Sequence, residues 1–395
     1  MPTVSEHIEA TVFAAWTAQI GYKSCLYPHS LLQQLRKKSP ICTLAAQIRG
    51  KNVLITGTSL NGIGFETAGA TAKYANLVVI TGYNPQRLKL SEDAIKKEIP
   101  GPNVRALILD LCSLASVRKA AAEVNAYTEP IHVLIHNAAH GGGPFQATVD
   151  GFESQMATAH IGAFLLTKLL APKLLASRSP TYTPRVVLVS SEGHAHGPGV
   201  DIDAVARPKP EEHSTSSAYL QSKSANILFA IELSKRAEGK IKAYSLHPGA
   251  IYTNLLQKPE NKTLLISIGF LKADGTPNDR EHPFKTIPQG AATTMAAAFD
   301  PRIEDQSGSF LWDCAVANDK IAPHSSDPVS VMLSDDVLVF TDLLTGEGQE
   351  VVGRHGRGSR RKIHLLIDSD ICDHTTQNVR PMYSQCRSAV CSNMA

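Results

Sequence analysis

Fourteen residues, Lys51 to Gly64, narrow the choice of folds more than any others in this 395-residue chain. They read K-N-V-L-I-T-G-T-S-L-N-G-I-G. Val53, Leu54 and Ile55 form a short apolar run with β-branched ends, as a strand buried on both faces requires. The chain then turns through Gly57, Gly62 and Gly64 into Phe65–Ala75, a proline-free stretch rich in Ala and Thr that reads as a helix. Asn76 can end that helix, and Leu77-Val78-Val79-Ile80 supplies a second apolar run. One strand–turn–helix–strand unit of βαβ length results. Glycines at such a turn let a pyrophosphate approach the backbone, and the helix N-terminus offers it free N–H groups and a positive dipole end. An ordinary tight turn is the alternative, and the position between two apolar runs favours nucleotide binding. No Lys-Ser/Thr pair follows the glycines, which excludes a Walker-type loop.

The same alternation continues. Strand-like runs fall at 53–56, 77–81, 104–109, 131–135, 185–190, 241–246 and 309–312. Helix-like stretches fall near 63–75, 85–98, 113–127, 150–178, 218–237 and 289–299. The pattern predicts an α/β fold with a doubly wound, seven-stranded parallel (Rossmann) sheet, helices on both faces and ligands beyond the carboxyl ends of the strands. The boundaries read as a helical leader over 1–47, a nucleotide-binding domain over 48–325 and an atypical extension over 326–395. Within the domain, 254–288 breaks the rhythm with an apolar piece, Leu264–Leu271, and a polar Pro-containing loop. It reads equally as a substrate lid or as a surface helix with its own small core.

The bulk numbers exclude several classes. Hydrophobic content of 43% and charged content of 19% suit an ordinary globular chain, and a net charge of +3 calls for no polyanionic partner. Residues 351–395 hold seven Lys/Arg against three Asp/Glu. They lack sustained periodicity and read as a disordered, solvated tail, and no nucleic acid is expected. The basic patch Arg36-Lys37-Lys38 reads as a solvated helix end. Seven scattered cysteines without a C-x-x-C pair argue against a disulfide framework or a metal site. Ala10–Tyr22 is apolar but too short to span a bilayer and follows Glu6 and Glu9, so it makes a poor secretory signal. The expected location is cytoplasmic, with that segment packed on the domain or lying at a membrane surface.

The chemistry centres on Tyr219-Leu220-Gln221-Ser222-Lys223, where Tyr219 and Lys223 share one helix face. A phenol with a pKa near ~10 is a poor acid–base catalyst at neutral pH. An ammonium beside it is expected to lower that value toward the working range. Upstream, the strand Arg185–Val189 runs into Ser190-Ser191, which places a hydroxyl at the carboxyl edge of the sheet, able to hold a substrate oxygen near the phenol.

With these residues in place, the chain resembles the short-chain dehydrogenase/reductase superfamily over residues 48–325. It is most similar to the retinol dehydrogenase and WW-domain oxidoreductase-like branch. The glycine turn matches the family's cofactor turn, and Asp110-Leu111 matches its adenine contact. His136-Asn137-Ala138-Ala139 stands where Asn-Asn-Ala-Gly is usual, and His247–Thr253 matches the loop at the nicotinamide end. The resemblance implies an oxidoreductase that interconverts an alcohol with a ketone or aldehyde on a small lipophilic substrate. Its implied catalytic residues are Ser191, Tyr219 and Lys223. The implied cofactor contacts are Gly57, Ser59, Gly62, Ile63, Gly64, Asp110, Asn137, Tyr219, Lys223, Ile251 and Thr253. Relatives often pair through the helices at 150–178 and 218–237, which admits a homodimer, although the branch includes monomers.

Three departures matter. Four residues separate Gly57 from Gly62 where three are usual, so the loop must bulge. Tyr83 stands where NADP-preferring relatives carry arginine, and Gly82 offers no acidic partner for the ribose of NAD. The reading leans to NADP, with Arg87 or Lys89 on the phosphate. Ala159 replaces the asparagine that, in the family, helps a water relay protons from the lysine. His160 or solvent must substitute, or turnover slows. That departure motivates the rival reading, a cofactor-binding sensor or scaffold with little catalysis. A sugar-nucleotide epimerase ranks last, because its tighter G-x-x-G-x-x-G turn is missing.

Overall fold

The apolar runs form strands with almost no solvent exposure, except the edge strand Val104–Ile108, where Ala106 and Ile108 are exposed. In chain order these are β1 (Asn52–Ile55), β2 (Leu77–Gly82), β3 (Val104–Ile108), β4 (Val133–His136), β5 (Arg185–Val189) and β6 (Lys242–His247). Four short strands follow: β7 (Ala250–Ile251), β8 (Phe284–Lys285), β9 (Phe310–Trp312) and β10 (Ala315–Val316). The computed structural model describes residues 40–326 except 281, all within one compact unit. Most of the predicted leader, and the extension beyond 326 with its basic tail, lie outside the described residues.

The main sheet has the order β10-β9-β6-β5-β4-β1-β2-β3. Its seven long-range pairing strands are parallel, as expected, and β10 adds an antiparallel edge to β9. The reversal between β1 and β4 is the switch point at which doubly wound sheets bind ligands. Each fully buried Val, Leu or Ile of these strands stabilises the fold by roughly 1.5–3 kcal/mol relative to exposure.

Eight principal helices cover the sheet: α1 (Pro40–Ile48), α2 (Ile63–Ala72), α3 (Pro85–Glu98), α4 (Leu114–Asn125), α5 (Gly162–Leu175), α6 (Thr215–Arg236), α7 (Pro259–Ser267) and α8 (Ile287–Phe299). One face carries α2, α3 and α8, joined by Leu44 and Ile48 of α1. The end of the leader therefore belongs to the core of the domain. On the other face α4 packs against α5, and α6 lies on β5 and β6. Starts are set locally: Asn84, Ser113 and Ser214 accept backbone N–H bonds, and Thr286 and Gln289 form a reciprocal capping box.

The helix expected over 150–178 is divided. A short turn at Ser154–Met156 leads into a wide π turn at Ala157–Ile161, and only then does α5 begin. Gly162 there packs so closely that a β-carbon would come 2.5 Å from the Leu111 carbonyl oxygen. In the 254–288 segment, Phe270 lies 5.0 Å from Phe284 and 4.9 Å from His282, with Tyr252 edge-on to Phe284 at 6.4 Å. The segment thus has a small aromatic core of its own, beside the β7–β8 pair.

Candidate active site

The carboxyl ends of the parallel strands share one edge of the sheet, and the candidate residues follow them. Gly57 comes after β1, Asp110 after β3, Asn137 after β4, Ser191 after β5 and Ile251 after β6.

Close packing explains the glycines. Gly57 has φ +70°, and a β-carbon there would lie 2.6 Å from Ala138 Cα. Gly64 abuts the Gly57 carbonyl and the Asn137 carboxamide, and a β-carbon would overlap both. The extra residue is absorbed in a tight turn at Leu60-Asn61, with Asn61 left-handed at φ 57°. Asn254 fixes that turn by donating to the Leu60 carbonyl at 2.8 Å. The expected bulge is therefore local, and α2 still starts at Ile63. Its N-cap, Gly62, provides no side-chain cap, so the first-turn N–H groups remain available to an anion. A turn with glycine at Gly57, Gly62 and Gly64, before uncapped N–H groups, fits a pyrophosphate.

Asn137 braces this turn. Its Nδ2 donates to the carbonyls of Thr56 at 3.1 Å and Gly57 at 2.9 Å. Asp110 accepts the Cys112 N–H at 2.9 Å. Ser59 is exposed and Ile63 half-buried at the mouth of α2. Buried Ile251 borders Gly290 together with Ile63. The Thr253 N–H donates to the Ile251 carbonyl at 2.8 Å.

Ser191, Tyr219 and Lys223 come together. The Ser191 hydroxyl accepts the Gly193 N–H at 3.1 Å and lies beside the Tyr219 ring, both bordering Gly193. Lys223 Nζ lies 5.3 Å from the Tyr219 ring centroid and donates to the Val189 carbonyl at 3.2 Å. Asn226 Nδ2 shares that carbonyl at 3.3 Å, and Ser190 Oγ donates to the Lys223 carbonyl at 2.7 Å.

The electrostatics differ from the expectation. Burial raises the Tyr219 phenol above its ordinary value, and the neighbouring Ser191 hydroxyl only partly opposes it. The Lys223 ammonium bonds to the Val189 carbonyl, and burial pushes its own pKa down to about 8. Desolvation thus outweighs the attraction expected between the two groups, leaving a protonated phenol beside a lysine that releases its proton more readily.

Ala159 is buried in the π turn and supplies only a methyl group. His160 packs between Phe164 and Phe229, with centroids at 6.5 and 5.9 Å. Burial pushes its pKa down to about 4, against a smaller opposing effect of Asn226. Neither ring nitrogen reaches a direct partner within hydrogen-bonding distance, and the polar neighbour acting on the ring, Asn226, shares the Val189 carbonyl with Lys223.

Two histidines beside Ser191 carry geometry that the sequence reading did not assign. His247 Nδ1 accepts the Glu192 N–H at 3.0 Å while its ring lies 4.3 Å from Trp312. His194 Nδ1 stands 2.7 Å from the Ser191 carbonyl. The available signal was S-S-E-G-H, which puts an imidazole one tight turn beyond the serine.

A doubly wound sheet whose switch point carries a glycine-containing turn and an uncapped helix defines a dinucleotide-binding protein. A family model described as short chain dehydrogenase matches residues 51–263. The chain is 36% identical over 269 residues to short-chain dehydrogenase TIC 32 A, chloroplastic, of Brassica napus, covering 67% of this chain and 80% of that protein. It is 33% identical over 280 residues to retinol dehydrogenase 11 of Mus musculus, covering 71% and 83%. Among solved structures, an uncharacterized protein from Mycobacterium Paratuberculosis matches with 28% identity and a TM-score of 0.53, over 78% of this chain and 98% of that one. The chain belongs to the short-chain dehydrogenase family. It is an NAD(P)-dependent oxidoreductase.

Proposed function

We propose that this oxidoreductase interconverts an alcohol with a ketone or aldehyde on a small lipophilic substrate, as a member of the retinol dehydrogenase and WW-domain oxidoreductase-like branch. The observation that carries the reading is the Tyr219 ring beside the Ser191 hydroxyl, both bordering Gly193, with Lys223 over the same ring. Gly57, Ser59, Gly62, Ile63 and Gly64 would hold the pyrophosphate. Asp110 and Asn137 border the adenosine half, Ile251 and Thr253 the nicotinamide end, and Lys223 the nicotinamide ribose. When bound, the cofactor supplies or accepts the hydride. Ser191 holds the substrate oxygen, and Tyr219, kept protonated by burial, gives that oxygen its proton in the reductive direction. Lys223, with its lowered pKa, is suited to restoring the proton to Tyr219.

The preference for NADP over NAD follows from the end of β2. Gly82 offers no carboxylate, and Tyr83 and Arg87 are exposed there. Lys89 is engaged with Asp93 at 2.5 Å and Glu92 at 3.6 Å, which leaves Arg87 as the phosphate partner. The aromatic core beside β7 and β8 and the 59% exposed Ile268 favour an apolar substrate. Among the described residues the large exposed hydrophobics lie outside α5 and α6, so a monomer is favoured over a homodimer through those helices. No described helix is long and apolar enough to cross a membrane. Cys112 and Cys314 are free thiols, in keeping with a cytoplasmic site of action.

Tyr219→Phe tests the reading. The variant should keep its unfolding midpoint and cofactor affinity and lose turnover by about 10²–10⁴-fold, the usual contribution of a positioned acid. Parental turnover in the phenylalanine variant overturns the assignment. Ala159 is the observation that favours the sensor or scaffold reading. Cofactor binding without turnover across a broad carbonyl and alcohol panel would support that alternative.

A further inference from the structure

After β10 the chain forms a strap, residues 317–326, that returns to the start of the Ser191 turn. It is fastened at both ends. Asn318 Oδ1 accepts the Phe310 N–H at 2.9 Å, and Ser325 Oγ donates to Ser224 Oγ at 3.0 Å. Between them, the Ala322 N–H donates to His194 Nε2 at 3.3 Å, and His324 Nε2 donates to the His194 carbonyl at 2.8 Å. Ser224 Oγ donates to that same carbonyl at 3.4 Å.

His194 is fully buried, its ring edge-on to Phe310 at 5.3 Å. Its proton is placed by its neighbours. The Ser191 carbonyl can only accept, so Nδ1 carries the hydrogen. The Ala322 N–H can only donate, so Nε2 is bare. The carbonyls of Ser191 and Lys320 favour a charged ring, and burial outweighs them, which keeps the ring neutral. One imidazole thus joins the strap, through Nε2, to the peptide of Ser191, through Nδ1. The His194 carbonyl joins the same strap to Ser224, the residue next to Lys223 on α6.

We propose that His194 is a positioning residue for Ser191, and that the strap sets the spacing between Ser191 and the Tyr219–Lys223 pair. The proposal rests on the reading of those three residues as the reacting groups. A serine on a strand-end turn and a tyrosine on a separate helix have no covalent reason to keep a fixed separation. Misplacement of about 1 Å costs on the order of 10²-fold in rate. The bonds of Ser190 to the Lys223 carbonyl and of Lys223 and Asn226 to the Val189 carbonyl hold the strand end itself to α6. The node at His194 adds a constraint beyond Ser191, because that turn and α6 are both fastened to one short segment.

The test separates the two ring nitrogens. His194→Asn keeps an N–H near the position of Nδ1 and removes the acceptor at Nε2. His194→Gln keeps an acceptor near Nε2 and removes the N–H at Nδ1. Turnover should stay within about threefold of the parent in H194N and fall about 10–100-fold in H194Q, with cofactor affinity unchanged in both. Ser325→Ala, which loosens the strap from α6, should lower kcat a few-fold without moving the cofactor affinity. Amide hydrogen exchange gives a readout independent of catalysis. Amides 192–194 should exchange faster only in H194Q, and the Ala322 amide faster only in H194N.

Equal loss, or equal retention, of turnover in H194N and H194Q overturns the positioning role. So does unchanged exchange at 192–194 in H194Q. If Tyr219→Phe proves as active as the parent, the assignment of the reacting groups has failed, and the exchange pattern still decides whether His194 holds the Ser191 turn.

Discussion

Lys223 keeps an ammonium at a site only 3% exposed. Its lowered pKa, about 8 against the ordinary 10.5 of a lysine, is a statement about stability as well as catalysis. Below pH 8 both folded and unfolded chains carry the charge, and the folded protein bears its desolvation. Between about 8 and 10.5 the folded amine is neutral while the unfolded one stays charged, so stability rises with pH through that window. The difference is on the order of 3 kcal/mol. Lys223→Met should therefore raise the unfolding midpoint by a few degrees at pH 7 while abolishing turnover. The gain should shrink toward pH 10, as thermal melts at the two pH values would show. The Val189 carbonyl keeps its bond from Asn226 in the variant, so no acceptor is orphaned. At this scale helical spacing alone joins Tyr219 to Lys223, whereas the place of Ser191 was read from a strand end and a resemblance. The direction of the Tyr219 shift was not readable, because burial is set by segments distant in sequence. His194, His247 and Asn226 act through hydrogen bonds to backbone groups distant in sequence or across a turn, which no local pattern announces.

At the scale of elements, the insertion between β6 and α8 connects with the cofactor edge through Asn254 on the Leu60 carbonyl and through Lys258 and Asn261 on the Gly141 carbonyl. Asn261 of α7 donates to the Leu255 carbonyl at 2.7 Å and to the Gly141 carbonyl at 3.3 Å, in the loop that follows Asn137. Gly142, at φ +83°, leaves no room there, since a β-carbon would overlap the Asn261 carboxamide. If α7 serves as a lid, Asn261→Ala should raise the substrate KM by roughly 5–30-fold, the worth of one or two hydrogen bonds at about 1 kcal/mol each. Gly142→Ala should act in the same direction, with cofactor affinity little changed in both. A KM that stays at the parental value in both variants would leave α7 as a surface helix. The parallel strands were readable because burial on both faces demands unbroken Val, Ile and Leu. The edge strand β10 was not, since it has two residues and follows Asp313-Cys314, a two-residue connection with both φ values positive. Such turns normally announce themselves with Asn-Gly. Here Cys314 is buried against Thr293, and tertiary packing holds the conformation instead.

For the whole molecule, one glycine turn links fold and function, and its glycines divide by what they contact. Gly57 and Gly64 pack against protein, so a larger residue at either would disturb the meeting of β1, β4 and α2. Gly62 differs: its φ is −119°, and a β-carbon there meets only the Ser59 carbonyl, at 3.0 Å. Gly62→Asp should leave the unliganded midpoint within a few degrees of the parent while placing a carboxylate before the uncapped N–H groups of α2. Like charge at that position opposes a pyrophosphate. A ligand that binds only the folded state stabilises it by about 2.7 kcal/mol at a hundredfold excess over Kd. Saturating NADPH should therefore raise the parental midpoint by several degrees, NADH should raise it less, and neither should move that of Gly62→Asp. An equal shift in parent and variant would mean that the pyrophosphate is held elsewhere than at α2. A larger shift with NADH would reverse the preference assigned to Gly82, Tyr83 and Arg87 while leaving the turn as the binding element.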